Sequence, residues 1–272
     1  MSDLPDDPHR IAPGSPVDLA RLPTRADAFH DDREAAEREF RELREELADL
    51  QYRLYAEDRR KLLVVLQALD AGGKDGTIRK LTRGVNPQGV EVTSFKVPSK
   101  LELAHDFLWR IHRRVPGNGK IGIFNRSHYE DVLVVRVDEI VPETVWRPRY
   151  ELINQFERLL SETGTTVLKF FLHISREEQL ERFQARLDTP EKRWKFSRDD
   201  LRKREQWEAY REAYQEALTR CTTEWAPWRA IPADQKWYRN LAVARVVVGA
   251  LRQMDPRFPE PEEDLDALRL SG

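Results

Sequence analysis

The residues most suited to chemistry lie in one short stretch, where an acid, two glycines and a lysine follow an apolar run. Residues 62–66 show no polar alternation, which is typical of a strand buried on both faces of a parallel sheet. Asp70, Gly72-Gly73 and Lys74 come next, and residues 78–83 fit a helix. A glycine turn between strand and helix directs backbone N–H groups, the positive end of the helix dipole and the lysine at one anion. The stretch therefore predicts a phosphate site formed by Ala71, Gly72, Gly73, Lys74, Asp75, Gly76 and Thr77.

This stretch fits the phosphate-loop pattern G-x-x-x-x-G-K-[ST] imperfectly, and its two departures are informative. Ala68 occupies the first glycine position, and Asp75 occupies the Ser/Thr position that usually binds Mg²⁺. Asp70 lies inside the loop, where its charge would repel a phosphate unless it holds a metal ion or activates an attacking phosphate oxygen. We therefore expect a phosphate loop that carries its own acid, with Asp70 and Lys74 as catalytic residues and Asp70 as a metal ligand. The alternative is a plain glycine turn with an exposed Lys74.

The composition argues against several classes of protein. The chain has 272 residues, of which 40% are hydrophobic and 35% charged, with 46 basic and 48 acidic residues and a net charge of -2. This balance argues against general nucleic-acid binding, and no apolar run approaches the roughly 20 residues of a membrane span. Cys221 is the only cysteine, so an internal disulfide is excluded. The first residues lack the basic and apolar parts of a signal peptide, and we expect a cytoplasmic protein.

Strands alternate with helices along the chain, which predicts an α/β fold with a parallel sheet of about five strands flanked by helices. After the first strand, strands are expected at 90–95, 120–124, 166–173 and 228–232. Helices are expected at 32–55, 99–115, 143–162, 175–187 and 234–254, with one more around Trp207. We expect one domain over residues 31–255, an irregular arm at 1–30 and a tail at 256–272.

Ligands of parallel sheets bind beyond the carboxyl ends of the strands, and polar residues follow several of the predicted strands. Besides the glycine loop, these are Lys96–Pro98, Asn125–Asp131 and His173. Arg126 would neutralise transferring phosphate oxygens, so we expect it to bind phosphate and to act in catalysis. Glu130 and Asp131 are expected to hold Mg²⁺, which favours carboxylates combined with substrate phosphates. The alternatives are a surface ion pair for Arg126 and a helix N-terminus for the two acids.

Two further groups of residues extend the candidate site. The segment from Arg182 to Arg204 is rich in arginine and lysine, which is typical of a lid over a polyanion, and Arg182 and Arg186 are expected to bind phosphate. A charged, exposed face is the alternative. A nucleotide-binding wall is expected at Phe95, Lys96, Val97, Pro98 and Arg113, although core packing explains its apolar members equally well.

The motifs together resemble one known family, the polyphosphate kinase 2 family, over residues 40–255. The stretches that carry the resemblance are Ala68–Thr77, Phe95–Pro98, Asp106–Arg110, Asn125–Val134, Trp194–Phe196 and Asp234–Asn240. The resemblance implies a P-loop kinase fold with a helical lid at about 182–204. It also implies transfer of phosphate between inorganic polyphosphate and nucleotides, dependent on Mg²⁺ with Mn²⁺ as a substitute.

Individual roles follow from the same resemblance. Asp70 and Lys74 match the Walker A pair of the family, and Arg126 matches its arginine after the third strand. Many members have Asp-Arg-Ser where this chain has Asn125-Arg126-Ser127, so Glu130 and Asp131 are expected to supply the missing acid. These two acids resemble the subgroup that accepts both nucleoside monophosphates and diphosphates. The implied partners are polyphosphate, AMP, ADP and ATP, with guanine nucleotides as further candidates, and a homo-oligomer is expected.

Two other functions compete with this interpretation. One is an ATP-dependent nucleoside monophosphate kinase, which would differ in its phosphate donor. The other is a non-catalytic regulator that binds nucleotide or polyphosphate. The acid inside the loop and the Arg126 region argue against the regulator, because binding alone does not require them.

Overall fold

A computed structural model describes residues 7–261, and these residues are organised around one parallel sheet. The sheet within this range has five strands: β1 (Lys61–Gln67), β2 (Val90–Ser94), β3 (Ile121–Asn125), β4 (Thr165–His173) and β5 (Trp228–Pro232). Their order is β2-β3-β1-β4-β5, and each neighbouring pair runs parallel. The predicted α/β fold is confirmed, and β2 to β5 begin and end within one residue of their predicted bounds.

Eleven α-helices lie within residues 7–261, and four of them are only four residues long. They are α1 (Arg33–Glu57), α2 (Lys74–Leu81), α3 (Lys100–Leu103), α4 (Trp109–His112), α5 (Val134–Val137), α6 (Glu143–Trp146), α7 (Arg149–Glu162), α8 (Arg176–Asp188), α9 (Arg198–Glu205), α10 (Trp207–Arg220) and α11 (Lys236–Met254). Three 3₁₀ turns complete this part of the chain, at Pro87–Gly89, His128–Asp131 and Pro190–Lys195. The predicted helical lid corresponds to the end of α8, the last 3₁₀ turn and α9.

Helices cover both faces of the sheet, and this explains the unbroken apolar run of β1. Leu62, Val64 and Leu66 pack in a cluster with α1, α2 and α11. Leu63 and Val65 point to the opposite face, where α7 and α10 provide the packing surface. All five side chains are buried. A strand covered on both sides has no solvent-facing position, so its central residues 62–66 are all apolar.

Two predicted helices are interrupted. Residues 99–115 form only the short helices α3 and α4, because the Asp106 carboxylate accepts a hydrogen bond from the Leu108 N–H and stabilises a local turn. Leu101 is 61% exposed, so the expected apolar face does not pack. The predicted helix at 143–162 is divided into α6 and α7 at Pro148, which lacks the N–H that would continue the hydrogen-bond ladder.

The part of the N-terminal arm that the structure describes, residues 7–30, packs along the outer edge of the sheet. Asp7 Oδ2 lies 2.6 Å from Nε of Arg229 on β5, and both side chains are buried. His9 is hydrogen-bonded through Nε2 to the Tyr238 hydroxyl at 2.7 Å. The Leu19 carbonyl accepts a hydrogen bond from Nε2 of His173, so this histidine faces the arm. The division into arm, domain and tail stays a prediction, and residues 1–6 and 262–272 lie outside the described range.

Among residues 7–261, no helix combines the length and the apolar character that crossing a membrane requires. Cys221 is buried and unpaired with another cysteine, as a single cysteine must be.

We expect Asp7→Asn to lower the free energy of unfolding by about 3 to 5 kcal/mol, because it leaves the Arg229 guanidinium buried without its anionic partner. Denaturant unfolding measures this change. Turnover per folded molecule should stay unchanged, because the pair lies at the outer edge of β5. A loss of only about 0 to 1 kcal/mol, the range of exposed ion pairs, would show that the arm is not anchored by this contact.

Candidate active site

The loop between β1 and α2 has the strand–turn–helix geometry that the sequence predicts. Gly73 has φ +103° and directly precedes the first residue of α2, which is Lys74. A Cβ on Gly72 would lie 2.5 Å from the Cβ of Ala68, so only glycine fits there. Ala71 also has a positive φ of 61°, which is unfavourable for a residue with a side chain. The loop is therefore tightly folded and partly strained, as expected for a phosphate loop.

Lys74 is buried beneath this loop. Its exposed fraction is 9%, and its Nζ donates a hydrogen bond to the Ala68 carbonyl at 2.8 Å. Burial, together with the positive charge of Arg126, lowers the pKa of Lys74 to about 8. The alternative of an exposed turn lysine is wrong. The ammonium group is directed at the loop, where it can meet a phosphate.

Arg126 joins the loop to the turn that follows β3. One nitrogen, Nη2, lies 2.8 Å from Asp70 Oδ1, and Nη1 lies 3.4 Å from Glu130 Oε2. The charges of Glu130 and Asp70 hold the pKa of Arg126 above its ordinary value, against the effect of burial. The guanidinium therefore stays charged, and two carboxylates share it.

A narrow cavity lies against this ion-pair cluster. Its accessible volume is about 20 Å³, which is room for roughly one water molecule. The polar and aromatic residues that line it come from five parts of the chain: Asp70, Arg126, Glu130, Gln179, Lys203, Tyr210 and Tyr214. A nucleotide is far larger, so its entry requires the covering helices to move.

Helix α9 and the preceding 3₁₀ turn cover the loop with basic side chains. Nζ of Lys203 lies 3.8 Å from Asp70 Oδ2, and Nζ of Lys195 lies 3.6 Å from Asp75 Oδ2. Arg186 is turned toward this cover as well, with Nη1 at 4.0 Å from Asp200 Oδ2. The basic segment thus contacts the phosphate loop directly, as a lid would.

Arg182, by contrast, lies beneath the loop. Its Nη1 donates to the Ala71 carbonyl at 2.9 Å, and Nη2 donates to the carbonyls of Ala233 and Asp234. Its Nε is hydrogen-bonded to Glu178. With every side of the guanidinium engaged, Arg182 holds the loop against the start of α11. Phosphate binding by Arg182 and Arg186 stays a prediction.

The three predicted metal ligands occupy different surroundings. Asp70 and Glu130 face the cavity, whereas Asp131 is not among its lining residues. The Asp131 carboxylate lies 3.2 Å from Arg149 and 3.9 Å from Arg110, and burial raises its pKa to about 6. Among residues 7–261 there is no group of three or more His, Cys, Asp or Glu residues arranged to hold a metal ion. Two carboxylates combined with substrate phosphates nevertheless suit Mg²⁺, so Asp70 and Glu130 fit this ion.

The predicted nucleotide wall does not line the cavity. Phe95 is buried and packs edge-to-face on Phe124, with ring centroids 5.0 Å apart, which agrees with the core-packing alternative. Val97 is 91% exposed. Arg113 lies in a separate open hollow, where its guanidinium stacks 4.7 Å above the ring of Trp109. Nucleotide binding by Phe95, Lys96, Val97, Pro98 and Arg113 therefore stays a prediction.

The comparisons with known proteins agree with this geometry. The sequence matches the family model of polyphosphate kinase 2 (PPK2) over residues 30–259. The chain belongs to the polyphosphate kinase 2 family. It is 52% identical to an AMP/ADP-polyphosphate phosphotransferase of Meiothermus ruber, over 93% of this chain and 96% of that protein. It is 45% identical to an ADP-polyphosphate phosphotransferase of Rhodopseudomonas palustris, over 92% and 91% of the two chains.

A solved structure extends this result to the fold. The crystal structure of polyphosphate kinase 2 from Arthrobacter aurescens superimposes with a TM-score of 0.91 at 39% identity, covering 95% of this chain and 93% of that one. The P-loop kinase-like fold that the resemblance implied is thereby confirmed.

Asn125 is the residue at which the resemblance to the family leads us to expect an aspartate. Its Nδ2 donates a hydrogen bond to Asp75 Oδ1 at 2.6 Å. An aspartate at this position would place two carboxylates against each other, at a cost in free energy. The Asn125 amide is therefore a suitable hydrogen-bond donor to the Asp75 carboxylate. The acidic residues that line the cavity are Asp70 and Glu130.

Arg239 is a functional candidate that the sequence interpretation did not name, although it lies in the quoted motif Asp234–Asn240. Its side chain is buried, and its Nε and Nη2 donate hydrogen bonds to the Asn240 amide oxygen. Burial and the nearby charge of Arg182 lower the pKa of Arg239 to about 9. The guanidinium lies directly against Gly73, which places a buried cation at the floor of the phosphate loop.

We expect Gly73→Ala to lower kcat by a factor of roughly 10² or more, because misplaced groups in a reacting site cost rates of this order. The new Cβ would lie 1.9 Å from Nη1 of Arg239, so the loop must shift. Steady-state kinetics measure the effect.

Gly84→Ala is the matched control. Gly84 has a similar φ of +97°, but no atom lies within 4 Å of an added Cβ. It should incur a similar backbone strain of about 1 to 2 kcal/mol without loss of kcat. Equal losses of kcat in the two variants would contradict the close contact at Arg239 as the cause.

Proposed function

We propose that the protein transfers phosphate between inorganic polyphosphate and adenine nucleotides, phosphorylating AMP to ADP and ADP to ATP. The observation that carries this proposal is a phosphate loop with its own carboxylate, Asp70, paired to Arg126 at 2.8 Å. Membership of the polyphosphate kinase 2 family supports it, as does the relative from Meiothermus ruber that is named for both acceptors. Guanine nucleotides as acceptors, a homo-oligomer and the cytoplasm as location stay predictions.

The transfer is a displacement at phosphorus. A terminal phosphate oxygen of the acceptor nucleotide attacks the last phosphorus of the polyphosphate chain. The bond from that phosphorus to the bridging oxygen breaks, and the shortened polyphosphate leaves with the bonding electrons. We assign Lys74 and the loop N–H groups to binding the phosphates, and Arg126 to neutralising the charge of the transferred group.

Asp70 is placed to orient the acceptor phosphate, because its carboxylate faces the cavity beside Arg126. Asp70 and Glu130 are also the residues that would hold a divalent cation. Such an ion, Mg²⁺ or Mn²⁺ in its place, reduces the charge of the phosphate oxygens when bound. Asp131 as a third ligand stays a prediction, because two arginines already surround its carboxylate.

Basic residues on two sides of the loop suit a long polyanion. Lys195 and Lys203 contact the loop from the lid, and we assign Arg186 to the same surface. Arg239 and Arg182 lie at its floor, where Arg182 keeps the backbone in place. These cations surround one loop of a protein whose net charge is only -2. Polyphosphate binding should therefore weaken as salt is added.

The decisive experiment supplies AMP and polyphosphate with Mg²⁺ and resolves the nucleotides over time. We expect ADP first and ATP later, because each product is the acceptor of the next transfer. ATP replaces polyphosphate as the donor in a parallel reaction. If ADP forms with ATP as the donor but not with polyphosphate, the protein is a nucleoside monophosphate kinase. If the protein binds nucleotide or polyphosphate but forms no product in a single turnover, it is a regulator.

The pH dependence tests the role of Lys74. Its pKa of about 8 in the free enzyme lies below the ordinary value, so its positive charge is lost as pH rises through 8. If this charge binds phosphate, kcat/KM should fall about tenfold for each pH unit above that value. The descending limb should disappear in Lys74→Arg, because arginine stays charged, although the rate itself is lower. A limb that persists unchanged in this variant would belong to another group.

A further inference from the structure

A buried polar cluster lies beneath the turn that carries Arg126 and Glu130. Lys169 on β4 and Glu157 on α7 form an ion pair at 2.6 Å, and both side chains are completely buried. Nζ of Lys169 also donates to the Tyr129 hydroxyl at 2.8 Å and to the Cys221 carbonyl at 2.6 Å. All three hydrogens of the ammonium group are therefore used.

Glu157 makes the remaining contacts of the cluster. Its Oε1 accepts from the Tyr129 hydroxyl at 2.8 Å and is hydrogen-bonded to Nε2 of His128 at 3.1 Å. His128 and Tyr129 are the second and third residues after Arg126, and both are completely buried. Tyr129 directly precedes Glu130. The ion pair thus holds two side chains that lie between Arg126 and Glu130 in the sequence.

The turn has a conformation that must be held in place. Arg126 has φ +64°, in the left-handed region that costs a residue with a side chain about 1 to 2 kcal/mol. On one side its N–H donates to the Leu66 carbonyl at 3.1 Å. On the other side, His128 and Tyr129 are fixed by the buried cluster. Such strain persists only where the surroundings determine the conformation.

Stability alone does not explain this cluster. Taking two charges out of water costs about as much as their attraction returns, and apolar replacements of buried ion pairs are often neutral or stabilising. What directed polar contacts add is a defined geometry. We propose that Glu157 and Lys169 are positioning residues, which hold the His128-Tyr129 pair so that Arg126 and Glu130 face Asp70. This inference rests on the proposed role of Arg126 in phosphate transfer.

The test combines two cluster variants with a conservative change at Arg126. Glu157→Gln keeps the shape but removes the charge, and Tyr129→Phe removes only one hydroxyl and keeps the ion pair. We expect Glu157→Gln to lower kcat by roughly 10 to 100-fold with KM for polyphosphate within about twofold, because misplacement of a reacting group changes the rate more than binding. Tyr129→Phe should fold normally and lower kcat by a smaller factor.

A double-mutant cycle separates positioning from stability. In the Arg126→Lys background the guanidinium is already absent, so adding Glu157→Gln or Tyr129→Phe should lower kcat by less than about threefold. Asp7→Asn is the control, because it breaks a buried ion pair remote from the cavity and should lower the melting temperature without changing kcat. Additive losses of kcat in the cycle would overturn the proposal. So would a loss of kcat from Asp7→Asn as large as that from a cluster variant with the same melting temperature.

The result can be distinguished from failure of the proposed function. If the unmodified protein does not use polyphosphate, the proposed function itself is wrong. Suppose that it does use polyphosphate and that Tyr129→Phe, shown by its melting curve to be folded, has an unchanged kcat. If the effects of Glu157→Gln and Arg126→Lys on kcat are also additive, the cluster is structural only.

Discussion

One guanidinium shared by two carboxylates determines the geometry of the candidate site. Arg126 bridges Asp70 on the β1–α2 loop and Glu130 on the turn after β3, so it fixes two elements that are separate in sequence. The three groups carry one excess negative charge, and Lys203 and Lys74 lie close enough to offset it. An arriving phosphate can take the place of a carboxylate on Arg126. The same contact therefore orders the loop and can present a cation to substrate.

The cations at the floor of the loop are buried at a cost in free energy that their contacts within the protein do not fully offset. Burial lowers the pKa of Lys74 to about 8 and that of Arg239 to about 9, which means that each charge is poorly solvated where it lies. Arg239 has an amide as its hydrogen-bond partner, and Arg182 adds a second positive charge nearby. A bound polyanion would relieve both effects. Such tension between stability and function is common at sites that bind strongly charged substrates.

The sequence allowed the sheet, the glycine loop and the convergence of strand ends to be predicted, because apolar runs and glycine turns report local geometry. It did not reveal the direction of long side chains. The Lys74 side chain is buried and donates to the Ala68 carbonyl. The Arg182 side chain points under the loop, where it contacts Ala71, a residue 111 positions away in the sequence. The break near Asp106 was missed because a side-chain turn competes with helix in a way that periodicity does not record. Arg239 was missed because its neighbour, Gly73, is close only in space.

The parts of the site differ in how firmly they are held. Below the loop, Arg182 has four partners and the Glu157–Lys169 pair is fully buried, so the floor is fixed by directed contacts that exclude water. Above it, Lys195 and Lys203 contact Asp75 and Asp70 at 3.6 and 3.8 Å, and partly exposed pairs of this kind contribute only about 0 to 1 kcal/mol each. These two contacts therefore add little to lid closure, and phosphate groups can replace the carboxylate partners of the two lysines. A rigid floor under a loosely held cover suits a site that must admit a nucleotide, exclude water during transfer and then release a product one phosphate longer.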